Sequence, residues 1–323
     1  MTFSADLPAF CLTDADRAEV DHLLDGIRWP DDADRVDLLA RRLPGRLQEF
    51  LIDFRRTEPA GGCILRGYRV PADRIGPTPL RWQDAAAADS ARREEAYLAL
   101  LGAVLGDLFA FRTLQQGRLV QDLLPTPGQE QTKSGNSSRS VLDLHTEDAF
   151  HPYRCDYLGL LCLRNDDEVP TSYAELRPDA IDEDHRRVLG QPRFLVEPDE
   201  THLVGTAGGP PAWLVDQPVP LLFGGPDQPY LRFDDFFVEP LPADEEAAAA
   251  LSALSEVLAK AERDALLTAG DVLFVDNYRA VHGRRPFTAR YDGTDRWLKR
   301  ISVSRDLRRS RDARADAAAR VIG

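Results

Sequence analysis

The chain lacks the residues that would place it in several common classes. Its four cysteines, Cys11, Cys63, Cys155 and Cys162, form no C-x-x-C pair and no even spacing, so neither a disulfide framework nor a thiolate metal knuckle is indicated. No apolar run approaches the ~18 residues of a membrane span, and the opening Met1-Thr2-Phe3-Ser4-Ala5-Asp6 has no basic stretch leading into an apolar one. A soluble cytoplasmic protein without a membrane partner is expected. Large blocks of positive charge are missing too: the formal net charge is -14, which gives a nucleic acid no reason to bind. The basic residues between Arg296 and Arg314 read as a solvated terminal element. There is no glycine-rich phosphate loop, no G-x-S-x-G elbow and no internal repeat, so nucleotide hydrolysis and serine-esterase chemistry have no foothold.

A hydrophobic content of 43% over 323 residues is enough for a sizeable core. Helical periodicity runs from Thr13 to Ile27, with Thr13 or Asp14 as cap. It recurs from Asp34 to Leu43, breaks at Pro44, resumes through Leu47, Phe50, Leu51 and Phe54, and is strongest from Glu94 to Phe109. Cys63 to Val70 reads as a strand and Pro71 to Trp82 as a loop. The β-rich part is expected to begin at Gly117 to Leu124. Further strands fit Val141 to Leu144, Asp156 to Leu163, Arg193 to Glu197, Ala212 to Asp216 and Tyr230 to Phe233. A helix fits Pro178 to Leu189, and a long one runs from Glu245 to Leu267 before Gly270. Many strands with turn signals suggest a mainly β fold with helices. We expect a double-sheet jelly roll, a double-stranded β-helix, braced by N-terminal helices and one long inserted helix. The whole chain, 1–323, is read as one domain, with a helical bracing region to about residue 110 and a core from 117 to 305.

Histidine is scarce as well: His22, His145, His151, His185, His202 and His282 are the full set. His22 and His185 fall in amphipathic or charged helical stretches and read as surface residues. His145 and Glu147 sit two apart at the end of a strand, so their side chains share a face. His282 follows the apolar strand Val272 to Val275 and precedes Gly283 and Arg284. Two histidines and one carboxylate, leaving positions open, suit a non-haem Fe(II) oxygenase. His151 is a rival ligand, but His-Pro at a strand end more often turns the chain. Arg296 comes fourteen residues after His282, across a hairpin with Asp292-Gly293 at its tip. Pairing of the hairpin arms would return Arg296 to His282, where a guanidinium fork suits a bound dicarboxylate.

The run His145-Thr146-Glu147-Asp148-Ala149-Phe150-His151-Pro152-Tyr153-Arg154, continuing to Leu161-Cys162-Leu163-Arg164-Asn165, resembles the clavaminate synthase-like branch of the Fe(II)/2-oxoglutarate dioxygenases. So do Asn277 with His282-Gly283-Arg284 and the spacing to Arg296. Within that branch the likeness is to hydroxylases of free arginine and asparagine in peptide-antibiotic pathways, and it extends from about Gly117 to Ser304. The resemblance implies Fe(II) held by His145, Glu147 and His282, with 2-oxoglutarate and O2 as cosubstrates. It places the far carboxylate of 2-oxoglutarate on Arg296, assisted by Thr171 or Ser172. The substrate α-carboxylate falls to Arg300, on the same strand face as Arg296, and the α-amine to Gln115 or its neighbour Gln116, with Glu147 beside it. Asn136 becomes a further amino-acid contact in a lid loop spanning about 125–138. Asp199 and Asp234 fall where the arginine enzymes set carboxylates against a guanidinium.

One departure stands out. Two residues past Asp234, where the arginine and asparagine enzymes carry another aspartate, this chain has Phe236, and Asp235 points to the opposite face. The resemblance therefore implies hydroxylation at Cβ or Cγ of a cationic amino acid: arginine first, then lysine or a cyclic arginine derivative, with a neutral amino acid less favoured. A metal-binding jelly roll acting as a sensor is the alternative of another class. Against it stand the two arginines for a dicarboxylate and an amino acid. A halogenase is disfavoured because Glu147 supplies the carboxylate that halogenases lack.

Overall fold

The computed structural model describes residues 7–199, 202, 217–225 and 227–323. In chain order the first part comprises strand β1 (Ala9–Cys11), helices α1 (Asp14–Asp25), α2 (Val36–Ala40) and α3 (Gly45–Thr57), β2 (Gly62–Arg66), helices α4 (Ala72–Ile75), α5 (Trp82–Ala88) and α6 (Arg92–Leu105), and β3 (Asp107–Phe111). There follow β4 (Gln121–Leu123), β5 (Leu142–His145), β6 (Tyr157–Arg164), β7 (Thr171–Glu175), α7 (Glu183–Leu189), β8 (Phe194–Val196), β9 (Leu222–Gly224), β10 (Pro229–Leu231) and β11 (Val238–Pro240). The chain closes with α8 (Glu245–Ala261), β12 (Arg263–Ala265), β13 (Val272–Asp276), β14 (Ala280–Arg284), β15 (Trp297–Ser304) and β16 (Val321–Ile322).

The strands form a major sheet in the order β1-β2-β13-β6-β15-β3-β16 and a minor sheet in the order β12-β7-β14-β5. In the major sheet β15 pairs with β4 over Leu298 to Arg300 and with β3 over Ser302 to Ser304. Alternation explains the layering. On β6, Leu158, Leu160 and Cys162 face the minor sheet and pack with Leu273, Val275, Tyr173 and Leu298. Their neighbours Tyr157, Leu161 and Leu163 face the other way, against α1, α3 and α6. A third cluster joins α7 and α8 to the outer side of the minor sheet through Ala174 and Val281. Central strands buried on both faces read as continuous apolar runs, which is why β6 and β13 are so plain in the sequence.

Helix α1 starts where Thr13 closes a capping box with Asp16, the Asp16 N–H donating to Thr13 Oγ1 at 3.2 Å. Other elements depart from expectation. The helix expected to reach Phe109 stops at Leu105, and Leu108 belongs to β3. A Cβ on Gly106 would lie 2.3 Å from the Ser304 carbonyl oxygen, so this glycine lets the chain turn tightly under β15. The long helix ends at Ala261, because Arg263 to Ala265 pair with β7 as a further strand. Three strands precede the segment where the β-rich part was expected to begin, so the bracing region also builds the major sheet. The Pro71 to Trp82 loop contains α4, and the strand read at 212–216 lies outside the described residues.

Arg285 to Asp295 do not form a paired hairpin. The strand before them, β14, belongs to the minor sheet and the strand after them, β15, to the major one. Arg296 thus meets His282's neighbourhood across the gap between sheets rather than along one ladder. Gly293, with φ +90°, does turn the chain there.

Candidate active site

Between the two sheets lies a cavity of about 340 Å³. On its minor-sheet side His145 of β5 stands directly opposite His282 of β14, with ring centroids 4.3 Å apart. The pairing needs Gly283: a Cβ there would lie 2.5 Å from the Leu142 carbonyl oxygen, where the ladder shifts register. Glu147, just past β5, sets Oε2 3.7 Å from His145 Nε2 and 3.3 Å from His282 Nε2. One ligand atom from each of the three residues lies within 4.8 Å of the others. His145 Nδ1 is 2.8 Å from the Asp143 carbonyl oxygen; an Nδ1–H donated there leaves the Nε2 lone pair facing Glu147. Asn277, wholly buried, holds the glutamate backbone: its Oδ1 accepts from the Glu147 N–H at 2.6 Å, and its Nδ2 donates to the carbonyls of Glu147 and Cys155, both at 3.0 Å.

The charges divide unequally. Burial alone would push the Glu147 carboxyl up, but Arg300 and the two imidazoles hold it well below the usual carboxylate range. Burial and the charge of His145 push His282 down to about 4. For His145 burial opposes protonation, yet Glu147 and Asp234 raise it to about 9. Two imidazoles and a carboxylate converge from one side on an open cavity. This donor set fits a divalent iron with positions left for small ligands, whereas a purely structural metal would be enclosed by protein ligands.

On the major-sheet side, alternate residues from the approach to β15 and from the strand itself reach the cavity: Arg296, Leu298 and Arg300. Their neighbours Trp297 and Lys299 turn away. Arg296 donates through Nη2 to Thr171 Oγ1 at 2.9 Å, and burial lowers its pKa to about 10. Arg300 donates to Glu147 Oε1 and, through Nε at 3.0 Å, to Gln121 Oε1. Gln115 clamps strand β4, its Nε2 donating to the Asp122 carbonyl at 2.7 Å and its Oε1 accepting from the Asp122 N–H at 3.0 Å. Beneath β4, wholly buried Lys299 sets Nζ 2.6 Å from Asp122 Oδ1 and 2.7 Å from Glu95 Oε1, and the Trp297 indole N–H donates to Asp122 Oδ1 at 2.7 Å.

Comparison with known proteins agrees with this geometry. Over residues 211–302 the chain matches the family model of the taurine catabolism dioxygenase TauD, TfdA family. It is 38% identical over 303 residues to enduracididine beta-hydroxylase of Streptomyces hygroscopicus, covering 88% of this chain and 89% of that one. To L-ornithine/L-arginine 3-hydroxylase of Catenulispora acidiphila it is 39% identical over 308 residues, covering 88% of each. The chain belongs to the clavaminate synthase-like Fe(II)/2-oxoglutarate dioxygenases. Among solved structures, the non-haem iron oxygenase OrfP with Fe, succinate and (3S)-hydroxy-L-Arg superposes with a TM-score of 0.92 at 40% identity, covering 98% of this chain and 100% of that one. The same oxygenase with Fe and alpha-ketoglutaric acid gives 0.90 at 40% identity and the same coverage. Fe(II), 2-oxoglutarate and O2 are thus the cofactor and cosubstrates of this enzyme, and amino-acid hydroxylation is its reaction class.

Most of the expected residues meet in the dioxygenase cavity: His145, Glu147, His282, Arg296, Thr171, Arg300, Gln115, Asn136, Asp199 and Asp234 all line it. Ser172 does not. It follows Thr171 on β7 and therefore faces away from the cavity. Gln116 is likewise outside, so the α-amine candidate is Gln115. His151 stands apart from the metal cluster, its Nδ1 accepting from the Tyr153 N–H at 2.9 Å as the chain turns. Asp234 bridges across to His145, and its Oδ1 accepts from the N–H groups of Phe236 and Phe237 at 3.0 and 2.9 Å. Burial raises its carboxyl pKa. The 125–138 loop covers the cavity with Lys133 and Asn136 and is tied down by Arg284, which donates to Ser137 and Ser140.

Sequence reading missed four contributors. Glu197 lines the cavity and was detectable, since it lies two residues before Asp199. Lys133 and Asp143 also line it, bonded to each other at 2.6 Å, with nothing in the local pattern to announce the pair. His202 bonds Asp148 Oδ1 through Nε2 at 3.0 Å and Thr113 Oγ1 through Nδ1 at 3.0 Å, bracing the turn that follows Glu147. Among the described residues no helix is long and apolar enough to cross a membrane.

Proposed function

We propose that the enzyme hydroxylates Cβ or Cγ of a free L-amino acid with a cationic side chain, arginine first, with lysine, ornithine or a cyclic arginine derivative behind it. His145, Glu147 and His282 hold the iron. Arg296 and Thr171 take the distal carboxylate of 2-oxoglutarate, and Arg300 takes the α-carboxylate of the amino acid. Gln115 and Glu147 receive its ammonium group, with Asn136 closing over it. The acids Asp199, Asp234 and Glu197 face the cationic end. The two facing sheets are read as a double-stranded β-helix, and the whole chain, 1–323, as one catalytic domain whose loop at 125–138 serves as a lid.

The observation that carries this reading is the spacing on β15 and its approach. Two guanidinium groups, four residues apart on one face, flank the His–Glu–His cluster, while carboxylates gather on the minor-sheet side. When bound, iron and 2-oxoglutarate convert O2 and a C–H bond into an alcohol, with succinate and CO2 as coproducts. The residues supply everything else. They fix the α-carbon by both its charged groups, keep Cβ and Cγ nearest the metal, and exclude water by burial.

Carboxylates gathered at one cavity repel one another, and a cationic substrate offsets that repulsion. The relatives named for enduracididine, ornithine and arginine support the cation reading. The test is succinate release and a gain of one oxygen in product mass, across the common amino acids with ornithine, homoarginine, enduracididine and capreomycidine. Leucine or asparagine turning over faster than arginine, lysine and the cyclic guanidines would sink the cation assignment.

A further inference from the structure

Lys133 makes an arrangement that the reaction itself does not require. Its ammonium lies 4.7 Å above the centroid of the Phe236 ring, 2.6 Å from Asp143 Oδ2 and 3.4 Å from the Val141 carbonyl oxygen. Phe236 is 54% exposed, unusual for so large an apolar side chain, and it lines the active-site cavity. The ring is held in place rather than loose. Phe237 packs edge-on at 4.8 Å, and the Asp234 carboxylate captures both backbone N–H groups of the pair. The chain turns at Phe236 just past the bridge between His145 and Asp234, and the Lys133 ammonium joins this ring to Asp143. An aromatic face and a carboxylate therefore stand side by side in the cavity, and a cation already sits between them.

We propose that Phe236 and Asp143 form the subsite for the far end of the substrate, that this subsite selects a planar guanidinium, and that Lys133 is its internal stand-in. This rests on the proposed hydroxylation of a cationic amino acid. A guanidinium is flat and weakly hydrated. It can stack on the ring while its fork reaches Asp143, whereas an ammonium gains little from the ring that Lys133 does not already take. The substrate displaces Lys133, whose side chain is 31% exposed and sits on the covering loop, so the lysine can leave toward solvent. An aromatic ring where an acid would be expected then becomes a selectivity device: it favours arginine and cyclic guanidines over lysine and ornithine.

The test compares KM values for arginine, homoarginine, lysine and ornithine in the wild-type enzyme, Phe236→Leu and Lys133→Ala, with thermal melts to confirm folding. Phe236→Leu should raise KM for the guanidines about tenfold and for the ammonium substrates less than threefold. Lys133→Ala should lower KM for arginine about threefold or more by removing the competing cation. An arginine-to-lysine preference unchanged in Phe236→Leu, or a KM for arginine that rises in Lys133→Ala, overturns the subsite while leaving the hydroxylase assignment intact. If the wild type turns over no cationic amino acid, that assignment falls, and calorimetry with agmatine judges the subsite alone. Equal agmatine affinity in wild type and Phe236→Leu overturns it, and a loss of about tenfold in the variant supports it.

Discussion

Replacing Asn277 by alanine is expected to weaken metal binding and stability together, by separate amounts that can be worked out. The side chain makes three buried hydrogen bonds, one accepted from the Glu147 N–H and two donated to the carbonyls of Glu147 and Cys155. At about 1 kcal/mol net for each bond, the variant should lose about 3 kcal/mol. Unfolding entropy of about 2 cal/mol/K per residue makes this a fall of about 4 °C in Tm for a chain of this length. The same bonds fix the backbone from which the Glu147 carboxylate reaches the two histidines, and loss of such a supporting partner typically costs ten- to a hundredfold in metal affinity. Anaerobic calorimetry with Mn(II), a redox-stable probe, reads the second quantity, and scanning calorimetry of the metal-free protein reads the first. A Tm lowered by 4 °C with Mn(II) affinity within twofold of wild type would refute the reasoning. In that case Asn277 would brace the strand end without governing Glu147.

Two other outcomes follow from neighbouring features. Thr171→Val should raise KM for 2-oxoglutarate about fivefold through loss of the hydroxyl beside Arg296, while Ser172→Ala should change it less than twofold; equal effects would mean that the parity of β7 has been misread. Burial pushes the Asp276 carboxyl up to about 7, with Glu58 and Asp156 adding to the rise and the Tyr278 N–H and Arg279 opposing it. A folded-state value above the unfolded one means that its stabilising contribution is complete below pH 4 and is lost as pH rises through 7. The Tm of Asp276→Asn relative to wild type should therefore increase by a few degrees between pH 5 and pH 8, and a constant difference would show that Asp276 ionises normally.

How much of the site could be read from the sequence depended on distance along the chain. His145 and Glu147 share a face because strands have a period of two, and that needed no partner. The position of His282 opposite His145 is a pairing across more than a hundred residues, for which the pattern offers no local sign. The hairpin expectation failed for a related reason. Asp292-Gly293 is a real turn, but whether the strands around a turn pair or diverge into two sheets depends on what each strand buries. Leu108 fitted the helical stripe of α6 equally well, and only the close approach of Gly106 to Ser304 decides that the helix has ended. Thr171 and Ser172 were indistinguishable because β7, buried along most of its length, shows no alternation from which to read parity. Buried polar residues such as Asn277 and Lys299 were invisible as supports, since their partners lie far away in sequence.

The lysine beneath β4 changes what the N-terminal helices are for. Lys299 joins Glu95 on α6 to Asp122 on the strand whose backbone Gln115 clamps and whose Gln121 holds Arg300. A trimmed enzyme built from the catalytic core alone would lose Glu95 and leave Lys299 with Asp122 as its one acid, and the damage would surface at the amino-acid end of the cavity rather than at the iron. Chimeras that exchange the helical layer between relatives should therefore carry Glu95, Asp122, Lys299 and Arg118, which donates to Glu95 Oε1 at 3.0 Å, across as one block. Exchanges that split the block are expected to shift amino-acid KM before they disturb the response to 2-oxoglutarate.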